Sequence, residues 1–413
     1  MNLFANAADP ASTVARQHYV FAIRKYSHAI QIMIRSLAGD TRCVRRALLG
    51  CFLVFCFEVL HGNRSLALSH ARSGCKLLRE TLSTPNPNPG HPVLEPDIIH
   101  TFVRIELQIM TVFDESTFQR HRYAKAEGYN LVQPIPKALA QLEEAQLYLE
   151  GLLTRFLHFL YSKGEALIDW DSIVHGMSRE QNGTCFQMPS VMHTPFPADV
   201  IPAEALDEQS SHISEILRWQ DAFKPVLSTK QPTTRGRAAL LQVNALAAQI
   251  VLESAFMNEE CLLDKLLPVF QAIVTYAKEF NSYFTSRLSA FSADVCAGPP
   301  LYLTARMCRH GPVRREAIDL LRSTRRREGT WDSLVVAEIA TWLMEIEEEG
   351  MEGNFIPETS RVRVAKANLD EPKEDLLLTC MKRVRRPDGT MDCVTATVNW
   401  DQVVQRKKDV FIS

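Results

Sequence analysis

The chain has 413 residues, of which 46% are apolar and 23% charged, and its formal net charge is −2. That length exceeds one ordinary hydrophobic core, so either two domains or one elongated helical array is expected. The near-neutral balance excludes whole-chain attraction to nucleic acid or anionic lipid and leaves such contacts to local basic segments.

Ten cysteines, at 43, 51, 56, 75, 185, 261, 296, 308, 380 and 393, are scattered without a C-x-x-C pair. They read as reduced thiols of an intracellular protein, not as a disulfide framework or a zinc knuckle. The opening MNLFANAADPASTVARQHYV lacks a basic start followed by an apolar stretch, so no secretory leader is read, and the sequons at Asn63 and Asn182 are expected to stay unused. The most apolar run, Ala47 to Leu60, spans about 14 residues, short of the roughly 20 that cross a bilayer. A buried helix accounts for it.

Helical periodicity dominates the chain. From Val14 to Ala38, residues Tyr19, Ile23, Tyr26, Ile30 and Ile34 recur at three- and four-residue steps, which predicts one amphipathic helix. An all-round apolar helix then stops at His61-Gly62-Asn63, and another begins near Ser65, where small Ala71 and Gly74 allow close approach. The short connector implies an antiparallel hairpin of helices. Five prolines in residues 83–96 make a loop, since each removes a donor and extends its predecessor. Helical signal returns over Asp97–Phe113 and Ile135–Tyr161, and a second proline-rich loop near 188–203 connects two bundles.

The second half repeats the pattern over Ser211–Val226, Arg235–Met257, Leu262–Phe280, Pro300–Cys308, Val313–Ser323 and Ser333–Glu349. Leu376–Val384 and Met391–Val398 are β-branched and flank the turn signal Arg386-Pro387-Asp388-Gly389, which predicts a hairpin. The expected fold is mainly α, stacked antiparallel helix pairs in a superhelical array with a small C-terminal β-hairpin. Residues 1–360 are expected to form the helical domain and 361–413 an extension carrying the hairpin.

Catalytic signatures are absent from the sequence: no H-E-x-x-H, G-x-S-x-G, G-x-x-x-x-G-K-[ST] or G-x-G-x-x-G is found. No catalytic, cofactor-binding or metal-ligating residue is assigned. His61, His70 and Cys75 lie close in sequence but read as a helix-end histidine and core thiols. Glu345, Glu347, Glu348 and Glu349 fan around a helix instead of converging on one ion, which reads as a solvated helix end. The densest positive charge comprises Arg314, Arg315, Arg322 and the run Arg325, Arg326 and Arg327, interleaved with Glu316, Asp319, Glu328 and Asp332. It fits an ion-paired surface, with Arg325, Arg326 and Arg327 as the candidate contact for a partner or for nuclear import.

One long segment, PPLYLTARMCRHGPVRREAIDLLRSTRRREGTWDSLVVAEIATWLMEIEEE, residues 299–349, carries a resemblance. It resembles the C-terminal signature of fungal-specific transcription factor domains, the helical regions that accompany Zn2Cys6 binuclear-cluster DNA-binding domains. The matching positions include Cys308, Arg309, Arg315, Gly329, Trp331, Asp332 and Trp342. Residues 51–78 look like the family's helix pair and FVRIELQIMTVFDE, 102–115, like its F-x-R-L-D-L-Q helix, so the resemblance runs in order from about 15 to 350. The residues themselves give the signature a packing role: Val335, Ile339, Trp342, Leu343 and Ile346 share a face, Asp332 or Ser333 caps the helix, and Gly329 turns the chain before Trp331.

The resemblance implies a nuclear transcription regulator, specific to one pathway and in some members to secondary metabolism, which works through protein partners or an effector and not by catalysis. A homodimer or a heterodimer with a related regulator is the expected partnership, with no membrane association. The family's six-cysteine array, C-x2-C-x6-C-x5-12-C-x2-C-x6-8-C, is not present in these residues. Zinc is therefore expected only with a cluster lying N-terminal to them, and direct sequence-specific DNA recognition is not expected of the 413 residues themselves. A helical scaffold and a biosynthetic enzyme reusing the fold are the alternatives.

Overall fold

The computed structural model describes residues 13–38, 44–83, 94–112, 118–129, 134–167, 185–186, 201–284, 291–294, 296–370, 375–385 and 391–399. The chain divides into two compact units, Met1–Ile109 and Met110–Ser413. Twelve α-helices lie among the described residues, and the fold is mainly α with successive helices packed as pairs.

In the first unit, α1 spans Thr13–Ala38, α2 Val44–His61, α3 Arg64–Ser83 and α4 Pro96–Val112. The α2–α3 connector is short because Gly62 takes φ 93°, a left-handed conformation that glycine adopts without strain. Gly62 and Asn63 both donate backbone N–H to Glu58 O at 2.9 Å, and the Asn63 side chain then accepts from Leu66 N at 3.2 Å. One residue pair thus ends one helix and starts the next. Leu48, Val54, Phe55, Ala71, Cys75, Phe102 and Ile105 fill the space between α2, α3 and α4. Gly74 belongs to that contact: a Cβ there would run into the Phe102 ring and come within 3.2 Å of Cys51 Cβ. Gly74→Ala is accordingly expected to lower stability by about 1 kcal/mol, because overpacking outweighs alanine's better helix propensity. A raised urea midpoint would refute this.

Helix α1 docks on α2 by one face only. Tyr26 stacks on Phe57 with ring centroids 3.8 Å apart and donates its hydroxyl to Glu58 at 2.5 Å, while Tyr19 Oη and His61 Nε2 are 2.7 Å apart. That contact engages His61, and the Cys75 thiol donates to Phe102 O.

The second unit begins with α5, Phe118–Tyr129, and α6, Leu142–Leu167. Helix α5 lacks an apolar period and is not legible in the sequence. It forms because His121 packs on α6, 2.9 Å from His158 between the Nδ1 atoms and stacked on Tyr161. Helix α6 starts later than the periodicity suggests: Pro134 and Pro136 keep the preceding segment extended, and Leu139 N donates to Ala222 O at 2.8 Å. Helices α7, Ala203–Leu227, and α8, Pro232–Ser254, follow. Trp219 is fully buried between them and α6, stacked on Phe223 and donating Nε1–H to Ala145 O at 3.0 Å. A 3-10 turn, Glu260–Leu266, leads into α9, Leu267–Phe284.

The remaining helices are α10, Gly298–Met307, α11, Gly311–Thr324, and α12, Ser333–Glu348. Every residue of α10 is buried, so it forms the centre about which α9, α11 and α12 pack. Three two-residue strands, β2 (Phe291–Ser292), β3 (Arg327–Glu328) and β4 (Trp331–Asp332), make a small sheet beside it, β2–β3 parallel and β3–β4 antiparallel.

The C-terminal hairpin is present and larger than expected. Strands β6, Asp375–Arg385, and β7, Met391–Asn399, pair antiparallel from Arg385↔Met391 to Leu377↔Asn399. Strand β5, Val362–Asp370, pairs along the other edge of β6, and β1, Cys185–Phe186, pairs with β5, giving the order β1-β5-β6-β7. The sequence of β5, VRVAKANLD, hides this strand because lysine, alanine, asparagine and aspartate are weak strand formers. The turn residues 386–390 and most of both proline-rich loops lie outside the described residues. No described helix is long and apolar enough to cross a membrane.

Candidate functional site

The segment Arg325–Ser333 folds as a tight hairpin whose carboxylates cap two helices. Arg327 faces Asp332 and Glu328 faces Trp331 across β3 and β4, with Gly329 at φ 52° in the connecting turn. Gly329 N donates to Ser292 O at 2.7 Å, Arg326 N to Ser333 Oγ at 2.8 Å, and Ser333 N to Arg326 O at 3.0 Å. On one side, Asp332 Oδ1 accepts from Leu334 N and Val335 N at 3.1 and 3.3 Å and so caps α12. On the other, Glu328 Oε2 accepts from Cys296 N and Gly298 N, both at 2.9 Å, at the start of α10, where Ala297 has no side chain to do so. Gly298 leaves the room: a Cβ there would lie 2.8 Å from Glu328 Oε2. Burial raises the Glu328 carboxyl, and these N–H donors together with Arg326 only partly oppose it.

The arginine run is not one exposed patch. Arg326 and Arg327 are 5% and 7% exposed. Arg326 lies 3.7 Å from Glu328 and over the Phe280 ring at 5.6 Å, and Arg327 Nη2 is 3.2 Å from Asp332. Both faces of the short hairpin are covered, and the two capping carboxylates stand beside these buried cations. Of the three candidates for a partner or import contact, Arg325 is the exposed one. It caps the C-terminus of α11 at φ 43°, ψ 50°, a left-handed conformation that costs a residue with a Cβ. Arg325→Gly is expected to stabilise the protein by roughly 1 kcal/mol, read as a higher denaturant midpoint. No gain would mean that the Arg325 side chain contributes a compensating contact.

The second cluster is a buried ionic network around Glu347. Its Oε1 accepts from Arg309 Nη2 at 2.8 Å and from Val362 N at 2.6 Å, and its Oε2 accepts from Arg314 Nη1 at 2.7 Å. Arg309 also reaches Glu260 at 2.9 Å and Met307 O at 2.7 Å, and Arg314 donates Nε–H to Ala305 O at 2.8 Å. Arg361, fully buried, forks onto both oxygens of Asp264 at 2.8 and 2.7 Å and reaches Glu260 O and Ile356 O. These contacts tie the 3-10 turn, α10, α11 and α12 to the start of β5. Residue 361, where the sequence suggested that an extension begins, is therefore held inside the helical body.

The solvated helix end expected of Glu345, Glu347, Glu348 and Glu349 is corrected at Glu347, which is 1% exposed. Burial works to raise its carboxyl, but the Arg309 and Arg314 guanidiniums and the Val362 N–H overcome that and hold it at about 2. Glu348 does lie at the surface side of the helix, paired with exposed Arg315 at 2.6 Å. Among the signature positions, Cys308 and Arg309 precede α11 and are buried, Trp331 packs on Tyr302 with ring centroids 5.9 Å apart, and Trp342 is buried on α12. Burial pushes the Cys308 thiol up to about 11, so it stays protonated and weakly nucleophilic at neutral pH. Among the described residues no group of three or more histidine, cysteine, aspartate or glutamate side chains is placed to hold a metal ion. The arrangement orders helices, its arginines paired with Glu260, Asp264 and Glu347 while Arg309 Nε and Arg314 Nη2 find no acceptor among the described residues.

Sequence reasoning placed Glu328 beside the arginine run as an ion-pair partner but missed its capping role, and it missed Glu260, Asp264, Glu347 and Arg361 as members of the buried network. Their signal was available only in part: buried arginines need acceptors, but the carboxylate partner of Arg361, Asp264, lies 97 positions away.

The class of protein that the chain is similar to is the fungal transcription regulator. It is 21% identical over 403 aligned positions to the aspercryptin biosynthesis cluster-specific transcription regulator of Emericella nidulans, a match that takes in 81% of this chain and 64% of that protein. The chain thus spans just under two thirds of the relative's length. No family model matches the sequence, and no solved structure matches it.

Proposed function

We propose that this chain is a transcription regulator of the fungal Zn2Cys6 kind, specific to one pathway of secondary metabolism and acting in the nucleus. The observation that carries the reading is the match to a cluster-specific regulator over four fifths of the chain. The ordered helical segments that resemble the family's regulatory region support it. In this reading the helical body works without catalysis, by binding protein partners or an effector, and pairs with itself or with a related regulator. The 413 residues hold no six-cysteine array, so sequence-specific DNA reading is assigned outside this stretch.

The test is deletion of the gene in its host, followed by transcript profiling and localisation of a fluorescently tagged copy. The expected result is altered transcription of one contiguous set of biosynthetic genes, with the tagged protein in the nucleus. Loss of a single chemical step with unchanged transcripts would replace the proposal with an enzyme, and cytoplasmic retention without transcript change would replace it with a scaffold.

A further inference from the structure

Helix α1 differs from every other long helix of the chain in its charge. Its 26 residues contain no aspartate or glutamate. Ile23, Tyr26, Ile30 and Met33 turn toward α2, as their lower exposure shows. Phe21, Lys25, His28, Ile32 and Arg35, at four- and three-residue steps, occupy the opposite face with Arg24 beside them, and all six are exposed. Phe21 is 60% and Ile32 51% exposed.

In other helices some cations are matched with carboxylates, Arg79 with Glu106, Arg155 with Glu215 and Arg235 with Glu279. Arg24 and Arg35 have no such partner among the described residues, and Lys25 rests on the neighbouring Phe21 ring, 5.4 Å from its centroid. The face is therefore a line of two large apolar anchors rimmed by unneutralised positive charge.

We infer that this face of α1 is a docking surface for an acidic amphipathic segment of another protein, one that alternates carboxylates with large apolar side chains. Charge complementarity selects the acidic partner, because α1 supplies only cations. The exposed Phe21 and Ile32 select an amphipathic one: a phosphate backbone would pair with the cations but leave both anchors in water. A second copy of α1 would set like charges against each other. A lipid surface needs a broad apolar face, whereas on this face Phe21 and Ile32 are set among Arg24, Lys25, His28 and Arg35. The inference stands on the chemistry of α1 and is independent of the regulatory reading, which transcript profiling tests separately.

The experiment uses the full chain and fluorescence anisotropy with a labelled 20-residue peptide of alternating glutamate and leucine clusters. Oligoglutamate, a 20-base-pair DNA duplex and phosphatidylserine vesicles serve as competing probes. Circular dichroism checks that the variants Lys25→Glu, Phe21→Ser and Lys224→Glu remain folded. Lys224 is 72% exposed and lies outside α1, so its reversal controls for overall charge. The expected result is that the amphipathic peptide binds, that Lys25→Glu and Phe21→Ser each weaken it about tenfold, equivalent to roughly 1.4 kcal/mol, and that Lys224→Glu leaves it unchanged. No binding of the peptide, binding that ignores either α1 variant, or tighter binding of oligoglutamate, DNA or vesicles would each overturn the inference.

Discussion

Glu347→Ala is expected to destabilise the protein by about 4 kcal/mol, because it strands two buried guanidiniums at once. Arg309 and Arg314 are both almost wholly buried, and Glu347 is the carboxylate they share, at 2.8 and 2.7 Å. Glu260 still faces Arg309 after the change, whereas Arg314 is left with Ala305 O. The loss also frees Val362 N at the root of β5, so the sheet and α12 are expected to loosen together. A urea titration followed by hydrogen exchange would show this as a lower midpoint with faster exchange in both α12 and β5. A loss below about 1 kcal/mol would mean that the network is hydrated and weak.

The same carboxylate sets a pH dependence with a definite sign. Its folded value of about 2 lies below the ordinary glutamate value near 4.3, so its contribution is fully present above the latter and is lost as pH falls through the former. The difference in stability between the parent protein and Glu347→Gln is therefore expected to be constant from pH 7 to about 5 and to shrink between about 4 and 2. A difference that is flat throughout that acid window would remove Glu347 from the acid-labile set.

Glu328→Ala is the second large expectation, at about 3 kcal/mol. It removes the acceptor for Cys296 N and Gly298 N at the start of α10, a helix buried on all sides, and so leaves amides that water cannot reach. Arg326 loses its neighbouring carboxylate in the same step. Glu328→Gln retains an oxygen at the same place and is expected to lose only about 1 kcal/mol. Because burial raises the Glu328 carboxyl above its ordinary value, the group favours the fold most when protonated, and its contribution falls as pH rises through the folded value. The deficit of the glutamine variant should therefore narrow toward high pH. Equal losses for alanine and glutamine would show that charge pairing, not capping, is the role of Glu328.

Helix α12 shows how far local chemistry can be read. Its apolar period, its start at Ser333 and the capping potential of Asp332 are properties of neighbouring residues, and the structure contains that helix and that cap. The same holds for the Gly62-Asn63 stop between α2 and α3, where a glycine and a short polar side chain supply both helix ends. Helix α5 and strand β5 mark the opposite case. Neither has a strong local preference, and each forms because a neighbour supplies the partner atoms, His158 and Tyr161 for one and the backbone of β6 for the other.

The charged residues separate the two levels most clearly. RRREGTWDS announces a turn followed by a capped helix, and it signals a large local positive charge. Nothing in that string says that Arg326 and Arg327 turn inward while Arg325 stays in water, or that Glu328 reaches the start of α10. Likewise, four glutamates near the end of α12 look equivalent along the chain, yet only the packing of α10, α11 and β5 selects Glu347 for burial. The sequence by itself determined the helical class, the apolar faces and the helix ends, because these depend on interactions within a few residues. The tertiary structure decided which charges are buried and which partners they meet, because a buried ion needs acceptors at angstrom distances that residues far apart in the chain must bring together.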